Sequence, residues 1–383
     1  MRSLHFPNRK AALIPVMLLG FLSLFSCSGT EHAENIITGY DAPPMENGEG
    51  LESIRYKIIP LEQTEDFALV SPKKIEIVDS TILVLDANRV IAYNSEGKYL
   101  RTIGERGNGH KEYLELSTFY IDDNKDIILL DPYKNTLLKF RKDGTFLDKK
   151  KLSSASLKHA QSVLPVSHDL LFVYNFLYND SHQLCKTVNV SNEAEKEISA
   201  TPLCTRNTME YIGKSPCSAY QGRIRYVRPF DNHIYIANDS SVLRIDTQEH
   251  ILSEEELREI KDYSIMTYAN CLSNGTFTGF TDLYETGRYL MPACHNLFYT
   301  LIDKENKVCR RFNYTSKGDE NGIPLYNIRG ASGDRLIGLL SKEKLESLDP
   351  GNGNRIIQDL KKVAEEQPFD QALILYDIER LDL

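Results

Sequence analysis

The stretch IEIVDSTILVLDANRVIAYNSEGKYLRTI, residues 75–103, runs through three short apolar-rich segments separated by Asp-Ala-Asn-Arg and Asn-Ser-Glu-Gly. Alternation with a period of two, broken by such turn residues, marks antiparallel strands joined by hairpins. The same order returns in FYIDDNKDIILLDPYKNTLLKFRKDGTFLD, residues 119–148. Asp86 and Asp131 stand 45 positions apart, and Gly97 and Gly144 stand 47 apart. Self-similarity at roughly 40–50 residues is the signature of propeller blades.

Four weaker copies follow, opening at His168, Asp231, Tyr284 and Gly333, the last completed by Ala372-Leu-Ile-Leu-Tyr-Asp377. One unit alone leaves sheet faces uncovered, so closing a ring is what buries them. The segment 51–61, alternating through Ile54-Arg-Tyr-Lys-Ile58, precedes the first full unit. It is expected to add a strand to the last blade and to protect two edges. The fold expected is therefore all-β: a six-bladed β-propeller of four-stranded blades over residues 51–383, with short helical insertions. One insertion begins with a capping box at Ser253-Glu-Glu-Glu. Another spans 355–366, with Ile356, Leu360 and Val363 on one face, after a glycine-rich turn at 349–353.

The N-terminus reads differently. Arg2, Arg9 and Lys10 precede a mostly apolar run from Ala11 to Phe25, shorter than the ~20 residues a spanning helix needs. Residues 1–26 fit a secretory signal. The sequence Leu24-Phe25-Ser26-Cys27 resembles a bacterial lipobox, which implies a lipid on Cys27 and a membrane as partner. Phe25 departs from the small or branched residue usual there, and an ordinary signal peptide cut near Ser26 is the alternative. Ser28 fits outer-membrane sorting, while Glu31 and Glu34 hint at a surface-export tag; the periplasmic or surface face stays open. Residues 27–50, polar with Gly29, Gly39, Pro43, Pro44, Gly48 and Gly50, read as a flexible tether.

Removing residues 1–26 takes away three basic groups and no acid, so the net charge moves from −9 to −12. Nucleic acid, which demands clustered Lys and Arg, is not an expected partner. Six cysteines remain after Cys27: Cys185, Cys204, Cys217, Cys271, Cys294 and Cys309. Six allow fifteen pairings; Cys204 with Cys217 is the candidate bridge. No two are spaced as a zinc ribbon.

RTIGERGNGHKEY (residues 101–113), followed by Ile121-Asp122, resembles the interblade segment of NHL-type propellers. Residues 282–290 (DLYETGRYL) and 372–380 (ALILYDIER) are similar to late blades of six-bladed β-propeller lipoproteins from gut Bacteroidetes. The resemblance covers residues 51–383 in pattern and implies the fold more than an activity.

The glycines of residues 101–113 invite a phosphate-loop reading. That reading requires a helix directly after them, whereas the next regular element is the strand near Phe119. No serine-hydrolase elbow, zinc-protease or nucleotide motif occurs, and no cofactor is expected. Asp122-Asp-Asn-Lys-Asp126 faintly resembles a calcium loop but fits a hairpin turn better, so no metal ligands are assigned. Asp86, Asp131 and Asp246 recur at strand ends, as turn residues do, and His110, His168, His233 and His295 are scattered. Propeller loops converge on a funnel where ligands sit. The candidate binding residues are Arg106, Asn108, His110, Tyr113, Arg223, Arg225, Arg228, Tyr284 and Arg288. The expected function is a lipid-anchored envelope module binding a glycan, peptide or partner protein. The alternative is a metal-dependent hydrolase or lactonase with its site in the channel.

Overall fold

Six antiparallel sheets follow one another along the chain in the computed structural model, which describes residues 34–63, 68–153, 155–175, 183–201, 215–260, 265–294, 298–313, 322–348, 354–367 and 369–381. The first blade joins Pro72–Val78, Thr81–Asp86, Arg89–Tyr93 and Tyr99–Ile103 in chain order. The next four begin with the strands Thr118–Ile121, Ala160–Ser167, Cys217–Tyr220 and Asp282–Glu285. The sixth takes Ile328–Ser332, Arg335–Ser341 and Gln371–Asp377 from the C-terminal part. Its fourth strand is Arg55–Leu61, antiparallel to Gln371–Asp377 with Arg55 opposite Asp377 and Leu61 opposite Gln371. The expected clasp is there, and the fold is a six-bladed β-propeller.

Each blade's first strand lies innermost, where neighbouring first strands meet around the ring. Buried side chains fall into six apolar clusters, one at each interface between adjacent blades. The cluster between the sixth and first blades holds Ile59, Leu61, Ile75, Val84, Ile337 and Leu373. The clasp strand thus adds apolar surface as well as backbone bonds. At its end the Glu62 amide donates to Gly97 O (2.8 Å), and the Glu62 carboxylate accepts from the Tyr99 amide (2.9 Å). Gly97 (φ 81°) is required there, because a Cβ would lie 1.9 Å from Pro60 O.

Residues 34–50, assigned to the tether by sequence, instead belong to the ring. Glu34–Ile37 forms a fifth, parallel strand on the fourth blade beside Val242–Ile245. Thr38 and Met45 then bridge to Val308 and Phe312 on the outer strand of the fifth blade. Ile37, Tyr40 and Asn47 are buried. The Asn47 carbonyl accepts from Tyr299 Oη (2.5 Å) and the Leu325 amide (3.0 Å), while its Nδ2 donates to Leu325 O (3.1 Å). Polar composition hid this strap because main-chain edge pairing needs no particular side chains.

Among the described residues the helices are α1 (Glu254–Glu259), α2 (Ile265–Ser273), α3 (Lys342–Ser347) and α4 (Arg355–Glu366). The Ser253 capping box on α1 is present, and α4 buries Ile356, Ile357 and Leu360; α2 and α3 were not anticipated. Cys217 is a free buried thiol donating to Ser162 Oγ (3.3 Å), so the bridge proposed for it does not form. Its intended partner Cys204 lies outside the described residues, as do residues 1–26, Cys27, His295 and the turn at 349–353.

Candidate functional site

The hairpins between first and second strands all emerge at one mouth of the ring; the connections between blades emerge at the other. The loop RTIGERGNGHKEY belongs to the second set, joining the first and second blades. Its Gly109 amide donates to Glu112 Oε2 (2.6 Å) and its Gly107 amide to Tyr113 O (2.8 Å). Lys134 Nζ donates to Gly107 O (2.8 Å) and Glu112 O (3.0 Å). The loop's own carboxylate therefore takes a glycine amide that a phosphate would need. Arg106, Asn108 and His110 are exposed here. The Arg106 Nε donates to Leu114 O (3.1 Å), and the His110 ring meets Phe146 edge-on at 5.8 Å. Tyr113 is only 1 % exposed, inside the cluster between the first and second blades, and offers no ligand surface.

The recurring aspartates do structural work. Asp86 accepts from the Val70 (2.9 Å) and Ser71 (2.6 Å) amides, and Asp131 from the Leu114 (2.7 Å) and Lys134 (2.9 Å) amides. Each ties the end of a second strand to the segment entering the same blade. Asp246 is instead exposed, 3.9 Å from Arg244. Within 122–126, the Lys139 ammonium sits 2.7 Å from Asp122 and 3.1 Å from Asp126, where a calcium ion would have to be. Among the described residues no group of three or more His, Cys, Asp or Glu is arranged to hold a metal ion.

The remaining candidates separate. Arg228 lies in the fourth blade's turn between second and third strands, with its Nε 3.0 Å from Asp231 Oδ2 and its guanidinium over the Tyr235 ring. Asp231 also meets His233 Nδ1 and accepts from Tyr235 Oη, each at 2.7 Å. Burial works to raise the Asp231 carboxyl, but the His233 contact and the Arg228 charge hold it below its usual range. Tyr284 is buried and donates to Ile328 O (3.0 Å), another candidate lost to the core.

At the hairpin mouth, Arg223 is exposed beside the turn, whereas Arg225, two residues on, is only 6 % exposed and paired to Glu285. Lys304 Nζ donates to the same Glu285 Oε1 (2.8 Å) and stands over the Tyr220 ring. Arg288 donates to Asp303 Oδ2 through Nε (2.9 Å) and Nη2 (2.6 Å), and its amide to Glu379 (2.9 Å). These residues brace the fourth, fifth and sixth blades. Glu285, Asp303 and Glu379 were missed by the sequence reading, because the partners lie 15 to 91 positions apart.

Beside this brace, a cleft of about 550 Å³ opens between the sixth and first blades. Its floor of Ile59, Ile77, Ile82 and Leu375 continues the apolar interblade cluster. Toward the mouth the same face changes to Lys57, Arg335 and Asp377, joined by Arg380. Charged residues cannot close over the core without partners, so the blades part. None of these four side chains forms a hydrogen bond or ion pair with described residues. The other lining acids are committed: Asp79 to Lys125 and Lys142 of the second blade (2.5 Å each), Asp334 to Tyr220 Oη, and Glu379 to the Arg288 amide. Bonds from Lys125 and Lys142 hold the Asp79 carboxyl down at about 2. The comparable groove between the second and third blades measures about 120 Å³ and carries the Lys139 ion pairs.

A closed ring of six four-stranded blades, with a concave, charged cleft between two of them, defines a six-bladed β-propeller. The chain belongs to the family described as "Domain of unknown function (DUF4934)", which matches residues 50–368. Among solved structures it is similar to a Bacteroides fragilis protein described as exported, at 17% identity and a TM-score of 0.70. That match covers 91% of this chain and 100% of the other, and shows the fold. A Bacteroides vulgatus member of the DUF4221 family is 10% identical, covering 84% and 96% of the two chains, with a TM-score of 0.49. No curated protein matches the chain.

Proposed function

We propose that the chain is a lipid-anchored binding module of the bacterial envelope, holding a glycan, peptide or partner protein without transforming it. The observation carrying this reading is the cleft between the sixth and first blades, where charged groups remain uncommitted on a ring clasped at its ends. Rigid scaffolds with a few unsatisfied polar groups above an apolar floor are how binding sites are built. The anchor would be a diacylglycerol on Cys27, in the outer membrane. No described helix is long and apolar enough to cross a membrane.

Labelling cells with a clickable palmitate analogue tests the anchor. The natural chain should incorporate label and sediment with membranes. Cys27→Ala should lose both while unfolding at an unchanged temperature. A Cys27→Ala protein still acylated and membrane-bound would refute this part of the proposal.

A further inference from the structure

We infer that the cleft between the sixth and first blades takes an acidic peptide segment in which apolar side chains accompany carboxylates; this deepens the binding-module reading and rests on it. Three uncommitted cations, Lys57, Arg335 and Arg380, face one uncommitted acid, Asp377. Of the other lining acids, Asp79 is neutralised by Lys125 and Lys142, while Asp334 and Glu379 keep their charge and accept from Tyr220 Oη and the Arg288 amide. Counting Lys125 and Lys142, which pair with Asp79, five cations stand against four acids around the cleft, and the uncommitted groups, three cations to one acid, favour an anion despite the chain's overall negative charge. Guanidinium groups hold carboxylates through paired, charge-assisted bonds, and Asp377 can accept a peptide N–H.

The floor decides between peptide and sugar. Ile59, Ile77, Ile82 and Leu375 offer aliphatic contact to a leucine-like side chain, and the lining contains no aromatic face on which a sugar ring would stack. The volume suits a few residues and not a folded domain. The groove between the second and third blades provides an internal comparison: it measures about 120 Å³, and its Lys139 is neutralised by Asp122 and Asp126.

The test is fluorescence anisotropy with three probes: a fluorescein-labelled peptide of alternating leucine and glutamate, its leucine–lysine counterpart, and labelled oligogalacturonate. The leucine–glutamate peptide should bind saturably and weaken as salt rises. Affinity should fall at least tenfold in the Lys57→Ala/Arg335→Ala/Arg380→Ala triple variant and stay unchanged in Lys139→Ala. All three substituted cations lie on the surface, so the triple variant should keep its unfolding temperature. Absence of saturable binding, equal binding of the lysine peptide, or unchanged affinity in the triple variant overturns the inference. Binding of oligogalacturonate alone also overturns it, while leaving the binding-module reading intact. Cleavage of the bound peptide overturns both.

Discussion

Deleting residues 34–50 should lower the unfolding temperature by about 10 °C or more, even though the six sheets keep their own four strands. Full burial of side chains the size of Ile37 and Tyr40 contributes roughly 1.5–3 kcal/mol each. Both are at most 2 % exposed. Without Asn47, the buried Tyr299 hydroxyl and Leu325 amide lose the Asn47 carbonyl as an acceptor, at about 1–3 kcal/mol. The deletion also frees the outer edge of Val242–Ile245 and the Cys309 amide, which donates to Thr38 O at 2.8 Å. An edge so exposed invites pairing between chains, so the truncated protein should aggregate on heating. Tyr40→Ala and Asn47→Ala should each show part of the loss in calorimetry. A truncated protein as stable as the full chain would return residues 34–50 to a tether.

The second large effect falls on the brace at the hairpin mouth. Glu285→Ala should destabilise by about 3–5 kcal/mol, because removing one partner leaves an uncompensated buried charge. Arg225, almost fully buried, and Lys304 both direct cations at that carboxylate. Their mutual repulsion should also loosen Lys304 from the Tyr220 ring. Urea unfolding of Glu285→Ala, Arg225→Met and the double variant forms a thermodynamic cycle. The double variant should recover part of the loss, since a well-packed apolar pair can replace a buried ion pair. Additive losses would mean that the two residues act independently.

The fold was legible because its signals are local. Asp86 and Asp131 each end a second strand just before the turn into the third, so their spacing reported the repeat directly. The clasp could be read from alternation in 54–58 and from an N-terminal strand left without a blade. Ser253 and the apolar face of 355–366 announced α1 and α4 for the same reason. The strap was illegible because Gly39, Pro43, Pro44 and Gly48 look like a linker, while its attachment depends on backbone edges and three buried side chains. Tyr113 and Tyr284 looked like funnel residues by type, yet both face interblade cores. Arg225 seemed available until Glu285, 60 positions away, was brought against it. The cleft could not be read at all from one strand. Lys57, Arg335 and Asp377 share a face only because Arg55–Leu61 and Arg335–Ser341 flank Gln371–Asp377 in the same sheet.

If the cleft holds its ligand and leaves it unchanged, a bound peptide must come back whole. Mass spectrometry of the leucine–glutamate peptide, after prolonged incubation with the protein and recovery from the bound fraction, tests this most directly. One intact peptide per chain should be recovered, displaced by salt and missing when the three cleft cations are replaced. Recovery of cleaved or modified peptide, in an amount that grows with time and falls on chelation, would contradict it.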